Sequence, residues 1–269
     1  MDHFIHIDGL KIRYLESGHG RTVLLLHGAS LGSSADVWSG NLGALAAYGL
    51  RVIAPDLPGF GLSDNPPDHS VSFRKNFIGA FMDALRLERA AMIGHSQSGR
   101  VAVSLAFEQP QRITKIVVLG TGSLLPPLPG AKKSDGEGDE GTAAEPTLAE
   151  TRKLLEGTLY RQELITPEVV ELRHRMSVGK NFEAFLARKQ TPREKDKESK
   201  PLWQRLTDVP IPLRLIYGKQ DRGNAAERAA SAKQKYPALD LHVVDRCKHL
   251  VQWDAPKEFE TLSGRFLAS

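Results

Sequence analysis

A serine at the centre of a compact turn is the feature that most constrains the fold of this chain. The turn, residues 94–99, follows an apolar run at 90–93 and precedes a helical pattern at 101–108. So sharp a turn strains the backbone at Ser96, and large side chains two residues before it or two to three after it would clash. Small residues occupy those positions. The pattern predicts a strand, a tight turn and a helix, with the serine hydroxyl standing clear of the sheet. An ordinary strand-to-helix turn with a solvated serine is the alternative.

The rest of the chain alternates apolar runs with helical patterns. Residues 4–15 are typical of a β-hairpin that turns at Asp8 and Gly9. Runs that are continuous and apolar, as in strands buried on both faces, lie at 22–26, 51–54, 90–93, 116–119, 213–217 and 241–244. Helical patterns lie at 38–48, 73–87, 97–108, 224–235 and 256–266. The alternation predicts an α/β fold whose central sheet is mostly parallel and flanked by helices.

The alternation is interrupted between residues 124 and 201. Residues 126–130, Pro-Pro-Leu-Pro-Gly, form a stop signal, and residues 131–145 are rich in Gly, Asp, Glu, Lys and Ala. We expect this Gly-rich acidic insert to be mobile. Further helical patterns follow, at 148–157, 167–177 and 181–189. The block is typical of a helical cap inserted after the sixth strand.

The composition suits one sizeable core with this insertion. The chain has 269 residues, and 41% of them are hydrophobic. We predict a core domain in two parts, residues 1–123 and 202–269, and a helical cap or lid at 124–201. The net charge of +4 is mild, and it gives no indication of a nucleic-acid partner.

The single cysteine, Cys247, excludes an internal disulfide. The first residues lack the apolar stretch of a secretory signal, and no apolar run approaches the roughly 18 residues that a membrane span requires. We therefore expect a cytoplasmic protein with no membrane partner. The sequence leaves the oligomeric state open, and a homodimer is one of the alternatives.

Candidate partners for the serine follow two later strands. A serine hydroxyl needs a base within hydrogen-bond reach, and the base needs an orienting acid. His249 is the best base, since it lies in the loop after the last predicted strand, where catalytic groups of such folds lie. Asp221 is the best acid, because it ends a strand in the pattern Gly-x-x-Asp and no carboxylate follows the preceding strand. The alternative for His249 is a histidine of a surface loop, and the alternative for Asp221 is the N-cap of the following helix.

Acyl transfer also needs backbone N–H groups aimed at the developing negative charge. Gln97, at the start of the helix behind the serine, is one candidate for this oxyanion hole. Ala29 and Ser30, in the loop after the His27-Gly28 pair, are the candidates for the second amide. Cys247 is interpreted as a small buried filler, in preference to a second nucleophile.

These motifs together resemble the α/β-hydrolase superfamily over nearly the whole chain. The matching pieces are His27-Gly28, residues 56–64 (Asp-Leu-Pro-Gly-Phe-Gly-Leu-Ser-Asp), the turn at Ser96, residues 218–221 and His249. The resemblance implies an α/β-hydrolase fold with an inserted helical cap and a serine hydrolase with a Ser-Asp-His triad. We expect no cofactor and no metal ion.

Within that superfamily, the chain is similar to the meta-cleavage-product hydrolases. Those enzymes hydrolyse a carbon–carbon bond in vinylogous diketones formed by ring fission of catechols. Residues 246–253 resemble the family's Cys-Gly-His-x-x-Gln-Trp segment, and residues 164–167 followed by Arg173 resemble its cap segment. The resemblance implies a small-molecule substrate, an acid derived from an aromatic compound, whose carboxylate binds Arg173. It also implies that Gln252 and Trp253 line the pocket.

The chain departs from that family at the turn, where His95 replaces the usual asparagine of the polar substrate site. We place His95 among the substrate-binding candidates. A carboxylesterase or lactonase with the same triad is therefore an open alternative. A cofactor-free oxygenase or haloperoxidase-like enzyme and a non-catalytic ligand receptor are remoter ones. The alternative interpretation of Arg173 is an arginine on the surface of the cap, and that of Trp253 is an aromatic residue of the core.

Overall fold

The structure is a computed structural model that describes residues 2–128, 144–192 and 200–269. An eight-stranded sheet lies at its centre, with the strand order β1-β2-β4-β3-β5-β6-β7-β8. The strands are β1 (Asp2–Ile7), β2 (Leu10–Ser17), β3 (Arg21–Leu26), β4 (Leu50–Pro55), β5 (Ala90–His95), β6 (Ile113–Leu119), β7 (Leu213–Gly218) and β8 (Asp240–Val244). The predicted mobile insert at 131–145 lies outside the described residues except for its last two positions.

The sheet is mostly parallel, as predicted. Strands β3 to β8 pair in parallel, whereas β1 pairs antiparallel with β2, and β2 pairs antiparallel with β4. The hairpin turns at Asp8 and Gly9, whose φ angles of 48° and 82° are those that Asp-Gly adopts readily. The carboxyl ends of the parallel strands meet at one edge of the sheet, where the candidate site residues lie.

Helices cover both faces of the sheet. They are α1 (Leu42–Ala46), α2 (Val71–Ala84), α3 (Gln97–Glu108), α4 (Leu148–Thr158), α5 (Pro167–Arg175), α6 (Lys180–Gln190), α7 (Ala225–Lys235), α8 (Val251–Asp254) and α9 (Pro256–Ala268). Successive side chains of a strand point to opposite faces. Leu24 and Leu26 pack in a cluster with Phe81 of α2, whereas Leu25 packs in a second cluster with Phe259 of α9. Both clusters are buried, which explains the continuous apolar runs.

The helices α4, α5 and α6 lie between β6 and β7, in the segment predicted to be the cap. Thr147 and Glu150 form a capping box that begins α4. Helix α6 is attached to the core through backbone carbonyls. Asn181 Nδ2 donates to Gly61 O at 3.0 Å, and Lys180 Nζ donates to Ser63 O at 2.7 Å. The core loop of residues 56–64 therefore supports this helix.

A buried network of charged side chains also supports the loop of residues 56–64. The Asp56 carboxylate is fully buried, and it accepts hydrogen bonds from Ala35 N at 2.5 Å and Leu62 N at 2.8 Å. Arg13 Nη1 lies 3.2 Å from Asp56 Oδ2, and Arg13 Nη2 lies 2.7 Å from Asp36 Oδ1. Because Arg13 is the cation that pairs with the fully buried Asp56, removing Arg13 would leave an uncompensated carboxylate in the core.

Two helical segments differ from the expected pattern. The pattern at 38–48 is divided into a 3₁₀ turn, Ala35–Trp38, and the short helix α1, which begins after Asn41. Helix α8 was not predicted, because four residues are too few to show a helical period. The other strands and helices lie within a few residues of their expected bounds.

Candidate active site

Ser96 lies in the strained turn that its neighbours predicted. Its φ and ψ are 55° and −125°, between the end of β5 and the start of α3. A methyl group built on Gly94 would lie 2.6 Å from the Cα of Gly99, so no side chain fits there. The Ser96 N–H donates to Leu119 O at 2.8 Å, which fixes the turn against the end of β6. The structure therefore holds the serine at the carboxyl edge of the sheet.

Ser98 and Thr121 tie this turn to the neighbouring loops. Ser98 Oγ, at a position that is often glycine, donates to His27 O at 2.5 Å. Thr121 Oγ1 donates to Ser96 O at 2.5 Å. The larger Ser98 is accommodated because its hydroxyl finds a buried acceptor in the loop after β3.

His249 and Asp221 form a hydrogen-bonded pair beside this turn. His249 Nδ1 lies 2.9 Å from Asp221 Oδ2, and the two side chains are only 8% and 5% exposed. A carboxylate only accepts hydrogen bonds, so Nδ1 carries a proton and Nε2 is the ring nitrogen left to accept one. A methyl group on Gly120, the residue after β6, would lie 3.2 Å from His249 Nδ1. The pair and Ser96 therefore both contact the end of β6.

The helix-cap alternative for Asp221 does not match the structure. The N-cap of α7 is Asn224, and the Asp221 carboxylate accepts instead from His249 Nδ1 and from Arg222 N at 2.8 Å. His249 is 7% exposed, so it is not a surface-loop histidine either.

His95 is directed at the His249 loop. Its Nε2 lies 3.1 Å from His249 O, and the two ring centroids are 4.7 Å apart. Burial lowers the pKa of His95 well below its usual value, and the neighbouring His249 lowers it further. The ring is therefore neutral, and its Nε2–H donates to the His249 carbonyl. Contact between His95 and a substrate stays a prediction.

The loop after β3 reaches Ser96 from the other side. A methyl group on Gly28 would lie 3.2 Å from Ser96 Cβ, so a side chain at residue 28 would crowd the serine and glycine leaves room for the close approach of this loop. His27 is fully buried, and its Nε2 accepts from Leu57 N at 3.0 Å. Its Nδ1–H therefore donates to Gly28 O at 2.7 Å. Burial lowers the pKa of His27 to about 4, so the ring stays neutral.

The candidate oxyanion-hole residues lie on both sides of the serine. Ala29 and Ser30 directly follow Gly28, and Gln97 is the first residue of α3, whose N-terminal amides carry partial positive charge. The Gln97 side chain is exposed, and its Oε1 accepts from Arg74 Nη1 at 3.3 Å.

Arg173 reaches from the cap into this loop. Its Nη2 donates to Ser30 Oγ at 2.8 Å, and its positive charge contributes to the lowered pKa values of His27 and His95, for which burial is the main cause. The guanidinium therefore lies on the core side of α5. The surface alternative, in which it pairs with Glu171, does not match these contacts.

A small groove lies at the junction of cap and core. Its volume is about 30 Å³, and its walls include Val37, Leu155, Leu172, Arg173, Leu250 and Trp253. Trp253 Nε1 donates to Val37 O at 2.6 Å. Trp253 therefore packs against the core and also forms a wall of the groove, and its contact with a substrate stays a prediction.

Gln252 lies elsewhere. It is 1% exposed, its backbone O accepts from Asn41 Nδ2 at 3.0 Å, and it is not among the residues that line the groove. The helical turn α8 explains this, because residues 250 and 253 share one face while residue 252 is rotated away. A contact of Gln252 with a substrate stays a prediction.

Sequence reasoning missed Asp254. Its carboxylate is 5% exposed and accepts backbone N–H groups from Tyr160, Arg161 and Lys248 at 2.8–3.0 Å. Its three partners lie in distant segments of the chain, and only the fold brings them to this side chain.

Cys247 is fully buried, and burial raises the pKa of its thiol. The interpretation of this residue as a buried filler is confirmed. Within residues 2–128, 144–192 and 200–269, no group of three His, Cys, Asp or Glu side chains is arranged to hold a metal ion. No helix in the same ranges is both long and apolar enough to cross a bilayer.

Residues 23–262 match the family model of the alpha/beta hydrolase family. The 2-hydroxy-6-oxo-6-phenylhexa-2,4-dienoate hydrolase of Burkholderia cepacia is 29% identical, over 98% of this chain and 93% of that protein. The 2-hydroxymuconate semialdehyde hydrolase of Pseudomonas putida is 30% identical, over 97% and 92%. A solved meta-cleavage product hydrolase from Pseudomonas fluorescens IP01 superposes with a TM-score of 0.79 at 26% identity, over 98% and 96%. These matches confirm the predicted α/β-hydrolase fold, and they show that the chain is an enzyme of the alpha/beta hydrolase family.

Proposed function

We propose that this enzyme is a serine hydrolase that cleaves a carbon–carbon bond in a meta-cleavage-type vinylogous diketone acid. Its triad is Ser96, His249 and Asp221. One observation carries the proposal: a strained serine and a 2.9 Å His–Asp pair both contact the end of β6. The substrate class is supported by the relatives, which are named as hydrolases of a phenylhexadienoate and of a muconate semialdehyde.

In this proposal, Asp221 fixes the tautomer of the base. With Nδ1–H bound to the carboxylate, Nε2 of His249 accepts the proton of Ser96 Oγ as the serine attacks. The imidazolium that forms is stabilised by the Asp221 carboxylate. Both side chains are nearly excluded from water, so this charge interaction is screened less than it would be at the surface.

The geometry favours Ala29 over Ser30 for the second oxyanion amide. In a trans peptide the C=O and the next N–H point in opposite directions. The Gly28 carbonyl accepts from His27 Nδ1, so the Ala29 N–H points away from that ring. Gly28 itself lies against Ser96. Ala29 N–H and Gln97 N–H are therefore the proposed donors to the oxyanion.

The reaction begins when the dienol of the substrate loses its O–H proton and takes up a proton on carbon, which converts it into its ketone isomer. Ser96 Oγ then attacks the carbonyl carbon, or assists the attack of a water molecule. The carbon–carbon bond breaks, its electron pair forms a stabilised dienolate, and the His249 imidazolium returns the proton to the leaving carbon skeleton. On the covalent route, water releases the acyl group from Ser96 with His249 as the base.

Arg173 is proposed to bind the substrate carboxylate. Its guanidinium reaches Ser30, in the loop that contacts Ser96 through Gly28. A guanidinium can bind a carboxylate with two parallel hydrogen bonds, which fixes orientation as well as affinity.

A carboxylesterase or lactonase is the second candidate. It is favoured by His95, which stands where carbon–carbon hydrolases of this type usually have asparagine. The triad serves both reactions equally well, so the substrate must decide between them.

The test is a parallel assay of a 2-hydroxy-6-oxodienoate ring-fission product and a series of nitrophenyl esters, compared by kcat/KM. We expect the ring-fission product to be preferred and Ser96→Ala to abolish turnover of both without unfolding the chain. A preference for neutral esters would favour the second candidate, and turnover by Ser96→Ala would contradict the triad.

Arg173→Ala tests the carboxylate site, and exposed Arg175→Ala on the same helix is its matched control. A hydrogen bond to a charged group contributes about 1.5–3 kcal/mol, so kcat/KM for the acid is expected to fall by about 10- to 150-fold. Neutral esters should change little. Equal losses for acid and ester would remove the carboxylate role from Arg173.

A further inference from the structure

We propose that Asp254 is a positioning residue that holds the base His249 by joining its loop to the cap. The proposal rests on the proposed role of His249 as the base. Contacts from the cap, as well as contacts from the core, then fix the position of His249.

One buried carboxylate joins two chain segments. Asp254 Oδ2 accepts from Lys248 N at 2.8 Å, one residue before His249. Asp254 Oδ1 accepts from Arg161 N at 2.9 Å, and both oxygens lie 3.0 Å from Tyr160 N. Tyr160 and Arg161 follow α4 of the cap after its C-cap residue, Leu159. Three backbone donors therefore converge on a side chain that is 5% exposed.

The end of α4 provides a second set of contacts to the same loop. Thr158 O accepts from His249 N at 3.0 Å and from Leu250 N at 3.3 Å, and Glu156 O accepts from Lys248 Nζ at 2.8 Å. The last carbonyls of a helix have no partner within the helix. Here the loop that carries His249 supplies those partners.

The other side of His249 is held by the core. His95 Nε2–H donates to His249 O, and the Asp221 carboxylate accepts from the ring. The N–H side of the residue contacts the cap, while its carbonyl and its ring contact the core. A change in the cap contacts therefore moves the ring relative to Ser96, which belongs to the core.

The chemistry of the clamp requires a carboxylate. Both of its oxygens accept, so all three amides are satisfied. An asparagine would turn an NH₂ group toward at least one amide N–H, and that buried donor would lose its partner. We expect the two segments to separate slightly and His249 to shift with Lys248. A misplacement of about 1 Å can lower a rate by about 10²-fold.

The experiment compares Asp254→Asn, Asp254→Glu and the control Asp245→Asn, using the substrate that the wild-type enzyme turns over best. Asp245 is an exposed carboxylate of the same loop, and it accepts from Gln220 Nε2 at 2.9 Å. We expect Asp254→Asn to lower kcat by about 10- to 100-fold with KM within about twofold, because Asp254 contacts no proposed substrate-binding group. Asp254→Glu keeps both acceptors and should recover part of the loss. The control should stay within about twofold of the wild type.

A folded Asp254→Asn enzyme with wild-type kcat would overturn the proposal. Where this variant fails to fold, hydrogen exchange in the wild type decides, since the amides of Lys248, Tyr160 and Arg161 should share one slow exchange rate. Amides on the two segments that exchange independently would also overturn it. Ser96→Ala separates the two proposals: if that variant retains turnover, the triad fails, whereas an inactive Ser96→Ala beside a fully active Asp254→Asn leaves the triad intact and removes only the clamp.

Discussion

Acid should destabilise this enzyme through His27, a fully buried histidine under the loop after β3. Burial lowers its pKa in the folded chain to about 4, against about 6.5 for an unperturbed histidine. The unfolded chain therefore binds this proton more readily than the folded one. The contribution of neutral His27 to stability is complete above about pH 6.5 and is lost progressively as the pH falls toward 4.

The magnitude follows from the two pKa values. Between pH 7.5 and pH 5 the free energy of unfolding should fall by about 2 kcal/mol on account of His27, and near pH 4 by about 3 kcal/mol, at 1.36 kcal/mol for each pKa unit. His27→Gln keeps a donor and an acceptor but does not titrate, and exposed His19→Gln serves as the matched control.

Urea denaturation of the three proteins at about pH 7.5, 6.5, 5.5 and 5.0 measures how the free energy of unfolding depends on pH over the range in which His27 contributes. His27→Gln should lose baseline stability and yet show a shallower dependence on pH than the wild type, by about 2 kcal/mol over the range. His19→Gln should follow the wild type. Parallel curves for His27→Gln and the wild type would show that the buried imidazole does not resist protonation and that its pKa is not lowered.

Two further substitutions test the packing beneath the site. Gly94→Ala puts a methyl group 2.6 Å from the Cα of Gly99, so the turn must open; we expect loss of activity together with a lower melting temperature, and a variant as active and stable as the wild type would contradict the fit. Arg13→Ala leaves the Asp56 carboxylate buried without its cation, and should cost about 3–5 kcal/mol in urea denaturation. Exposed Arg86→Ala is the matched control for Arg13, and equal losses for the two would remove the buried pair from the account.

The sequence was most informative where function requires residues in a fixed local relation to a strand. Ser96, Asp221 and His249 each follow a strand that the sequence predicted, and parallel strands bring such positions to one edge of a sheet. The expectation of burial on both faces was wrong for β8, because it is the edge strand of the sheet and Val243 is 41% exposed. The tight turn at residues 94–99 was predictable because only small residues fit it. Helix α3 begins and ends where its pattern indicated, since one face of it is continuously apolar.

Contacts between distant segments could not be predicted in the same way. The pairing of Arg13 with Asp56 and the three amides on Asp254 depend on how loops fold back, which no local periodicity encodes. The orientation of His95 toward the His249 loop is of the same kind, because the residue before a turn gives no sign of the direction of its ring. The burial of Gln252 is also of this kind, because the short motif that suggested a pocket residue does not show which way its side chain turns, and its contact with a substrate stays a prediction.

Covalent labelling with a fluorophosphonate, followed by peptide mass spectrometry, shows whether Ser96 is a nucleophile activated by His249 and Asp221. We expect one adduct per chain, on Ser96, which is absent in Ser96→Ala and much slower to form in His249→Ala and Asp221→Ala. An adduct on another residue, or labelling of Ser96 at an unchanged rate when His249 is replaced, would contradict it.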